Sequence, residues 1–372
     1  MVKQTILSAE NDYKSLDIWL TDNKIARLLL VCDRSLSFLT IKDYFGTLPE
    51  RLGVKVVKFD DFQPNPLYES VVEGVALFKR ENCQAIIAVG GGSSIDVAKC
   101  IKLYSNMDSS QNYLKQPILP NNIPLLAMPT TAGTGSEATR YAVIYYEGVK
   151  QSVADESCIP SAVLMDSSAL KTLPLYQKKS TMLDALCHAL ESFWSVNSTD
   201  QSKAFSRSAI EMILSHMDGY LANDDVANTV MLKAANLAGK AINITQTTAG
   251  HAMCYKLTSL YGIAHGHAAA LCDKVLFPWM IQNTDKCIDL RGEEYLKQTF
   301  HEIAQAMRCS TPEQACEKWD TIIAGLQLEI PAASQEDYQI LKTSVNPTRL
   351  KNHPIQLDAD TIDMLYHRFL SK

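Results

Sequence analysis

Over roughly the first 175 residues, short apolar runs alternate with stretches whose apolar positions recur every three or four residues. Residues 26–32 (ARLLLVC), 54–59, 85–89 (AIIAV) and 124–128 have the length and β-branched or aliphatic content of buried strands. Between them, Tyr68–Arg80 sets Val71, Val72, Val75 and Phe78 on one face, as a helix does, and residues 94–104 predict another helix. Asp33-Arg34-Ser35 reads as a turn into a helix, and residues 141–146 and 161–165 as further strands. Strand–helix alternation of this kind predicts a parallel sheet covered on both faces. After Leu173-Pro174 the period changes: residues 181–196, 204–222 and 226–242 are helical in pattern, with few strand-like runs. The expected architecture is an α/β domain over 1–175 and an all-α domain over 176–372.

Length agrees with two domains, since 372 residues exceed what one core usually supports. A hydrophobic share of 47% and a charged share of 20% are ordinary for a soluble enzyme. The net charge of -6 argues against nucleic acid or an anionic membrane surface as partner. No apolar run approaches the ~18 residues that span a bilayer, and the first residues lack the apolar core of a secretory signal. Ten cysteines are scattered without a CxxC pair, which points to small core residues in a reducing, cytoplasmic setting.

Two glycine-rich segments carry candidate chemistry. Gly90-Gly91-Gly92-Ser93-Ser94-Ile95-Asp96 follows a strand and opens a helix, so bare backbone and free N–H groups can face a pyrophosphate. The alternative is a tight strand-to-helix turn without ligand, and the segment is not the GxGxxG fingerprint. Thr130-Thr131-Ala132-Gly133-Thr134-Gly135-Ser136 follows the next strand and combines hydroxyls with glycines, as a cofactor-lining or a merely capped loop would. Asp33, just beyond the first strong strand, can accept from a ribose diol and repel a 2′-phosphate, which favours NAD(H) over NADP(H). It can equally cap a helix, and Arg34 could pair with a 2′-phosphate.

The helical second half holds a candidate metal set. Asp184 and His188 lie four apart in an apolar run and share a helix face. With His251 and His265 they make one carboxylate and three imidazoles, a donor set suited to Fe(II) or Zn(II) and too nitrogen-rich for Mg(II) or Ca(II). Spacing alone leaves structural histidines as an equal reading. Cys187 and Cys254 adjoin these residues but lack the paired spacing of thiolate sites. His267 is a candidate proton-relay residue or an incidental neighbour of His265.

At these residues the chain closely resembles the iron-containing (group III) alcohol dehydrogenase family. The matching segments are GGGSSIDVAK (90–99), PTTAGTGSEAT (129–139), DALCHALESF (184–193) and HAMCYKLTSLYGIAHGHAAAL (251–271). The resemblance implies an N-terminal dinucleotide-binding domain, a helical C-terminal domain and a metal in the cleft between them. It implies that Asp184, His188, His251 and His265 are the metal ligands, with Fe(II) first and Zn(II) second. It places Gly91, Gly92, Ser93 and Asp96 at the pyrophosphate, and Thr130, Thr131, Thr134 and Lys150 along the cofactor. Asp33 resembles the acidic residue of NAD-preferring members. One departure stands out: where many members carry a histidine four residues after the third ligand, this chain has Tyr255, which could replace a relay or shape the pocket.

Within the family, residues 251–268 and 344–357 look most like members that reduce phosphonoacetaldehyde to 2-hydroxyethylphosphonate. Such a substrate needs a cationic anchor. Arg140, Lys256, Arg349 and Lys351 are available, and Arg140 and Lys256 are favoured because they adjoin the motifs. The expectation is a small-molecule aldehyde or alcohol substrate, a metal acting as Lewis acid toward hydride transfer, and a homodimer as the family's common assembly. The rivals are reduction of neutral short-chain aldehydes, a lyase of the dehydroquinate synthase type, and a metal that only joins domains.

Overall fold

The structure, a computed structural model, describes residues 4–9, 12–345 and 347–370. Asn346, inside the 344–357 segment, lies outside the described residues. The chain divides into two compact units: Met1–Leu173 with Asn223–Leu232, and Pro174–Ala222 with Lys233–Lys372. The short segment joins the first unit through Lys171, which is paired with Asp225 (2.6 Å) and whose carbonyl accepts from the Asn223 amide (3.2 Å).

The first unit is built on β1 (Thr5–Ser8), β2 (Arg27–Cys32), β3 (Lys55–Phe59), β4 (Ala85–Gly90), β5 (Leu125–Pro129), β6 (Tyr141–Tyr146), β7 (Val149–Ala154) and β8 (Ala162–Met165). Six of these form a parallel sheet in the order β1-β8-β5-β4-β2-β3, and β6 and β7 pair as an antiparallel hairpin. Alternate residues of the central strands feed two separate cores, because successive side chains point to opposite faces. Leu29, Val31, Ile86, Ala88, Leu125 and Ala127 pack with α3 (Tyr68–Arg80) and α4 (Gly92–Tyr104). Leu28, Leu30, Ile87, Val89, Leu126 and Met128 pack with α1 (Lys14–Asp22) and α2 (Ile41–Leu52). Burial on both faces explains why these strands read as unbroken apolar runs. The chain runs from β2 outward to β3 and then returns to β4 on β2's other side. That reversal makes the C-terminal ends of β2 and β4 a topological switch point, where open α/β sheets bind ligands.

The second unit is helical. Its chemistry-bearing elements are α5 (Leu175–Trp194), α6 (Asp200–Leu221), the C-terminal part of α7 (Asp225–Thr245), α8 (Ala249–Tyr261) and α9 (His265–Gln282). α5 is buried over most of its length, from Met182 to Trp194 without a break, and packs on α6 and α9. The described strands and helices thus give the parallel-sheet and helical architectures that the residue pattern implies. No helix among the described residues is long and apolar enough to cross a membrane.

Candidate functional site

The first unit gathers the predicted nucleotide residues at the switch point. Asp33 follows β2, Gly90 ends β4 and Thr130 follows β5; the Thr130 N–H donates to the Gly90 carbonyl (3.1 Å) and ties the two loops together. Gly90 has a φ of 156°, and a side chain there would meet Ser94 Oγ at 2.2 Å and Asp33 Oδ2 at 3.0 Å, so its glycine is required by the fold. Gly91 is different. It has an ordinary φ of -76°, and a Cβ would find only Thr131, at 3.5 Å and beyond. Packing within the protein gives no reason for glycine at 91, whereas a ligand lying against the bare backbone does. Gly92, Ser93 and Ser94 form the first turn of α4, whose leading N–H groups have no intrahelical acceptor. Thr134 closes in on Gly92, 3.1 Å from where its Cβ would stand.

Two predicted members are committed to the scaffold. Asp96 accepts from Ser136 Oγ (2.6 Å) and the Val143 N–H (2.9 Å), tying α4 to the threonine loop and the hairpin. Asp33 accepts from the Ser35 N–H (2.8 Å) and Ser94 Oγ (3.1 Å), capping the short 3-10 turn Arg34–Phe38 where the pattern suggested a helix. Lys150 pairs opposite Tyr145 in the hairpin. Burial raises the Asp96 carboxyl, with Lys99 and, more weakly, Lys150 opposing it. Sequence reasoning missed Lys99, a fully buried lysine of the same motif. Its ammonium donates to Ser136 Oγ, the Thr139 carbonyl and hydroxyl, and the Tyr141 carbonyl at 2.7–3.2 Å.

In the second unit, Asp184, His188 and His251 come together with one ligand atom each within 4.8 Å of the others. All three are at most 5% exposed. Asp184 Oδ1 lies 3.5 Å from His251 Nε2 and 4.0 Å from His188 Nε2, and the two rings stack at 4.5 Å. Asp184 Oδ1 and His251 Nε2 have no hydrogen-bond partner among the described residues. Orphaned buried polar atoms are rare in native proteins, and a divalent cation would satisfy both at once. The donor set fits an iron or zinc ion. His265, first residue of α9, sets its ring edge-on to His251 at 5.2 Å, where it can complete the set. Burial raises the Asp184 carboxyl, but His188, His251 and His265 outweigh it and hold it well below the usual carboxylate range.

Glu191, missed in the sequence, stands behind this cluster. It is fully buried and follows Asp184 and His188 on α5 with the i, i+4, i+7 spacing of one helix face. Its carboxylate accepts from His251 Nδ1, from the His251 N–H (3.0 Å), and from the N–H and hydroxyl of Thr248. Burial disfavours a charged His251, but Glu191 and then Asp184 prevail, and its pKa is pushed up to about 10 before an ion binds. Asp273 of α9 is also fully buried, and burial and then Glu191 raise its pKa well above the ordinary carboxyl value. Gly250 makes room for these groups: a Cβ there would meet Asp273 Oδ1 at 2.0 Å and Glu191 Oε1 at 2.7 Å.

Two consecutive residues of α8 set His265. Cys254 Sγ lies 3.5 Å from His265 Nδ1 and donates to the His251 carbonyl (3.3 Å), while the Tyr255 ring stacks on His265 at 5.3 Å. Burial raises the Tyr255 phenol far above its usual pKa, so it holds its proton through the neutral range. His267 lies elsewhere: its Nδ1 meets Tyr176 Oη at 3.2 Å, and it lines a pocket of about 410 Å³ with Tyr176, Lys179, Ile263 and Glu329. Arg140 is engaged by Glu156 (2.7 Å) and by the hydroxyl and face of Tyr141. Lys256 is half-buried on α8, five residues beyond His251 and therefore ~140° around the helix from it.

Comparison with known proteins agrees with this arrangement. Residues 4–167 match the profile described as iron-containing alcohol dehydrogenase, and residues 178–368 match that of the Fe-containing alcohol dehydrogenase family, C-terminal. NAD-dependent methanol dehydrogenase of Bacillus methanolicus is 32% identical over 68% of this chain and 67% of its own length. 1,3-Propanediol dehydrogenase of Klebsiella pneumoniae is 33% identical over 71% and 70%. The fold matches that of sulfoacetaldehyde reductase from Bifidobacterium kashiwanohense in complex with NAD+ (TM-score 0.88, 22% identity, 100% and 98% coverage). The chain belongs to the iron-containing alcohol dehydrogenase family. It is a nicotinamide-dinucleotide-linked oxidoreductase of the alcohol/aldehyde type, with a divalent metal.

Proposed function

We propose that this enzyme reduces an aldehyde bearing an anionic group, phosphonoacetaldehyde, to 2-hydroxyethylphosphonate. Its metal ligands would be Asp184, His188, His251 and His265, holding Fe(II) or, second, Zn(II). The observation that carries the reading is the facing pair Asp184 Oδ1 and His251 Nε2, buried without a hydrogen-bond partner among the described residues where a divalent cation would relieve both. An ion held there supplies Lewis acidity toward a carbonyl oxygen, and NADH supplies hydride.

The chain's own residues prepare this chemistry. Asp184 contributes the negative charge of the ligand set. Glu191, by accepting from Nδ1–H, fixes the His251 tautomer that leaves Nε2 as ligand atom. Cys254 does the same for His265 from its Nδ1 side, and Tyr255 covers the His265 ring. Tyr255, protonated and beside His265, is better placed than His267 to hold the proton an alkoxide product takes up. In the other unit, Gly91, Gly92, Ser93 and the threonines 130, 131 and 134 would cradle the dinucleotide. Asp33 at the end of β2 favours NAD(H) over NADP(H). Ten free cysteines, seven of them buried, suit a reducing cytoplasm.

The test is a panel of aldehydes assayed with NADH and NADPH after reconstitution with Fe(II) or Zn(II). Phosphonoacetaldehyde should be preferred over butanal, and NADH over NADPH. Parity between the two aldehydes would return the enzyme to neutral short-chain substrates.

A further inference from the structure

Arg349 is the cation that the structure leaves unanswered in the second unit's site. It lies in the short helix Pro347–Leu350, which packs on α8. Its side chain is half-buried, yet no carboxylate pairs with it among the described residues. Its one hydrogen bond among the described residues is a long contact, 3.5 Å, from Nη1 to the side-chain oxygen of Gln246. That oxygen is itself held in place: Asn352 donates to it (3.2 Å) and to the Thr247 carbonyl (3.1 Å), and Asn197 donates to Asn352 (3.0 Å). Gln246 adopts a φ of 59°, a conformation side chains adopt only when their surroundings enforce it. An Asn197–Asn352–Gln246 chain therefore steadies a guanidinium without neutralising it, and most of its five N–H donors remain available.

The location gives this apparatus meaning. Gln246, which Arg349 bonds, and Thr247, which Asn352 bonds, immediately precede Thr248, whose N–H and hydroxyl bond the same Glu191 that holds His251. The helix carrying Arg349 packs on α8, which carries His251 and Tyr255. The competing cations fit less well: Arg140 already holds Glu156, Lys256 lies off the His251 face of α8, and Lys351 is exposed. A half-buried guanidinium without a carboxylate pairs strongly with a planar or tetrahedral oxyanion, which accepts two parallel N–H bonds.

We propose that Arg349, steadied by Gln246 and Asn352, is the receptor for the oxyanion group of the substrate and sets the preference for anionic over neutral aldehydes. This rests on the aldehyde-reductase reading above and goes further, assigning the specificity to one residue. Phosphonate and sulfonate share the recognised chemistry; the two differ in charge.

The test measures kcat/KM for phosphonoacetaldehyde, sulfoacetaldehyde and butanal in wild type, Arg349→Gln and Arg349→Lys. It also measures calorimetric binding of 2-hydroxyethylphosphonate and of NADH to each metal-free protein. In Arg349→Gln the ratio of anionic to neutral kcat/KM should fall about 100-fold, as loss of a charge-assisted bidentate pair implies. Binding of 2-hydroxyethylphosphonate should weaken with it, NADH binding should not, and Arg349→Lys should recover part of the ratio. Whichever anionic aldehyde wild type turns over faster names the oxyanion. A ratio unchanged in Arg349→Gln, or an equal loss for all three aldehydes, overturns the receptor while leaving the substrate reading standing. A wild type that prefers butanal overturns the substrate reading itself.

Discussion

Glu191 binds His251 twice, accepting from the ring Nδ1–H and from the backbone N–H of the same residue. One carboxylate thus fixes both the tautomer of the imidazole proposed as a metal ligand and the start of the helix that carries it. Replacing Glu191 with Gln keeps the shape but removes the charge and misaligns one donor. Metal affinity, measured by competition with a chelator, should drop ~10- to 100-fold, in line with other partners of ligand histidines. Undiminished affinity would mean that Glu191 only packs.

Because His251 has a pKa of about 10 before an ion binds, metal loading near pH 8 must expel its proton. Calorimetry in buffers of different ionisation enthalpy should show about one proton released from this residue on loading. In Glu191→Gln, where the largest charge raising that pKa is gone, the release should shrink. Identical proton counts in both proteins would remove His251 from the ligand set.

The adjacent glycines separate structure from binding. Gly91→Ala fits the empty space beside Thr131, so its thermal midpoint should stay near wild type while NADH affinity falls about tenfold as the added methyl blocks close backbone approach. Gly90→Ala instead forces a side chain onto Ser94 at a positive φ and should destabilise by about 2 kcal/mol or more. Normal NADH binding in Gly91→Ala would make 90–94 a turn and nothing else.

His353 provides an internal pH response. It is fully buried, neither ring nitrogen has a partner among the described residues, and burial pushes its pKa down to about 3 against the opposing pull of Glu191. An imidazole depressed in the folded state contributes stability above its unfolded value near 6.5, lost as pH falls from there toward 3. Between pH 7 and 5 it accounts for about 2 kcal/mol of acid destabilisation. Denaturant melts should therefore show wild type losing about 2 kcal/mol relative to His353→Leu between pH 7 and 5; parallel profiles would show that His353 is solvated.

Elements buried on both faces were legible as sequence: β2, β4 and β5 are unbroken apolar runs because helices cover both sides. The edge strand β1 was not, since three of its four residues are exposed and no alternation survives. Nor was β7, where only Val153 is buried and the polar Lys150, Gln151 and Ser152 break any apolar run. Within the site, Asp184 and His188 announced themselves through helical spacing. Glu191 did not, because a glutamate in an apolar helix has meaning only through a partner 60 residues away. The same holds for Arg349, whose significance lies in what it does not pair with.

Gly266 joins the two helices that carry Asp184 and His265 of the proposed ligand set. It follows His265, and a Cβ there would strike the Ser180 carbonyl at 2.0 Å and Asp184 Cβ at 2.5 Å, so α5 and α9 meet backbone to backbone at the cluster. An imidazole on one helix and a carboxylate on the other cannot move apart unless that seam opens. An ion captured by both would then exchange on the timescale of local unfolding rather than of ligand dissociation, and its residence time would report the strength of a helix contact.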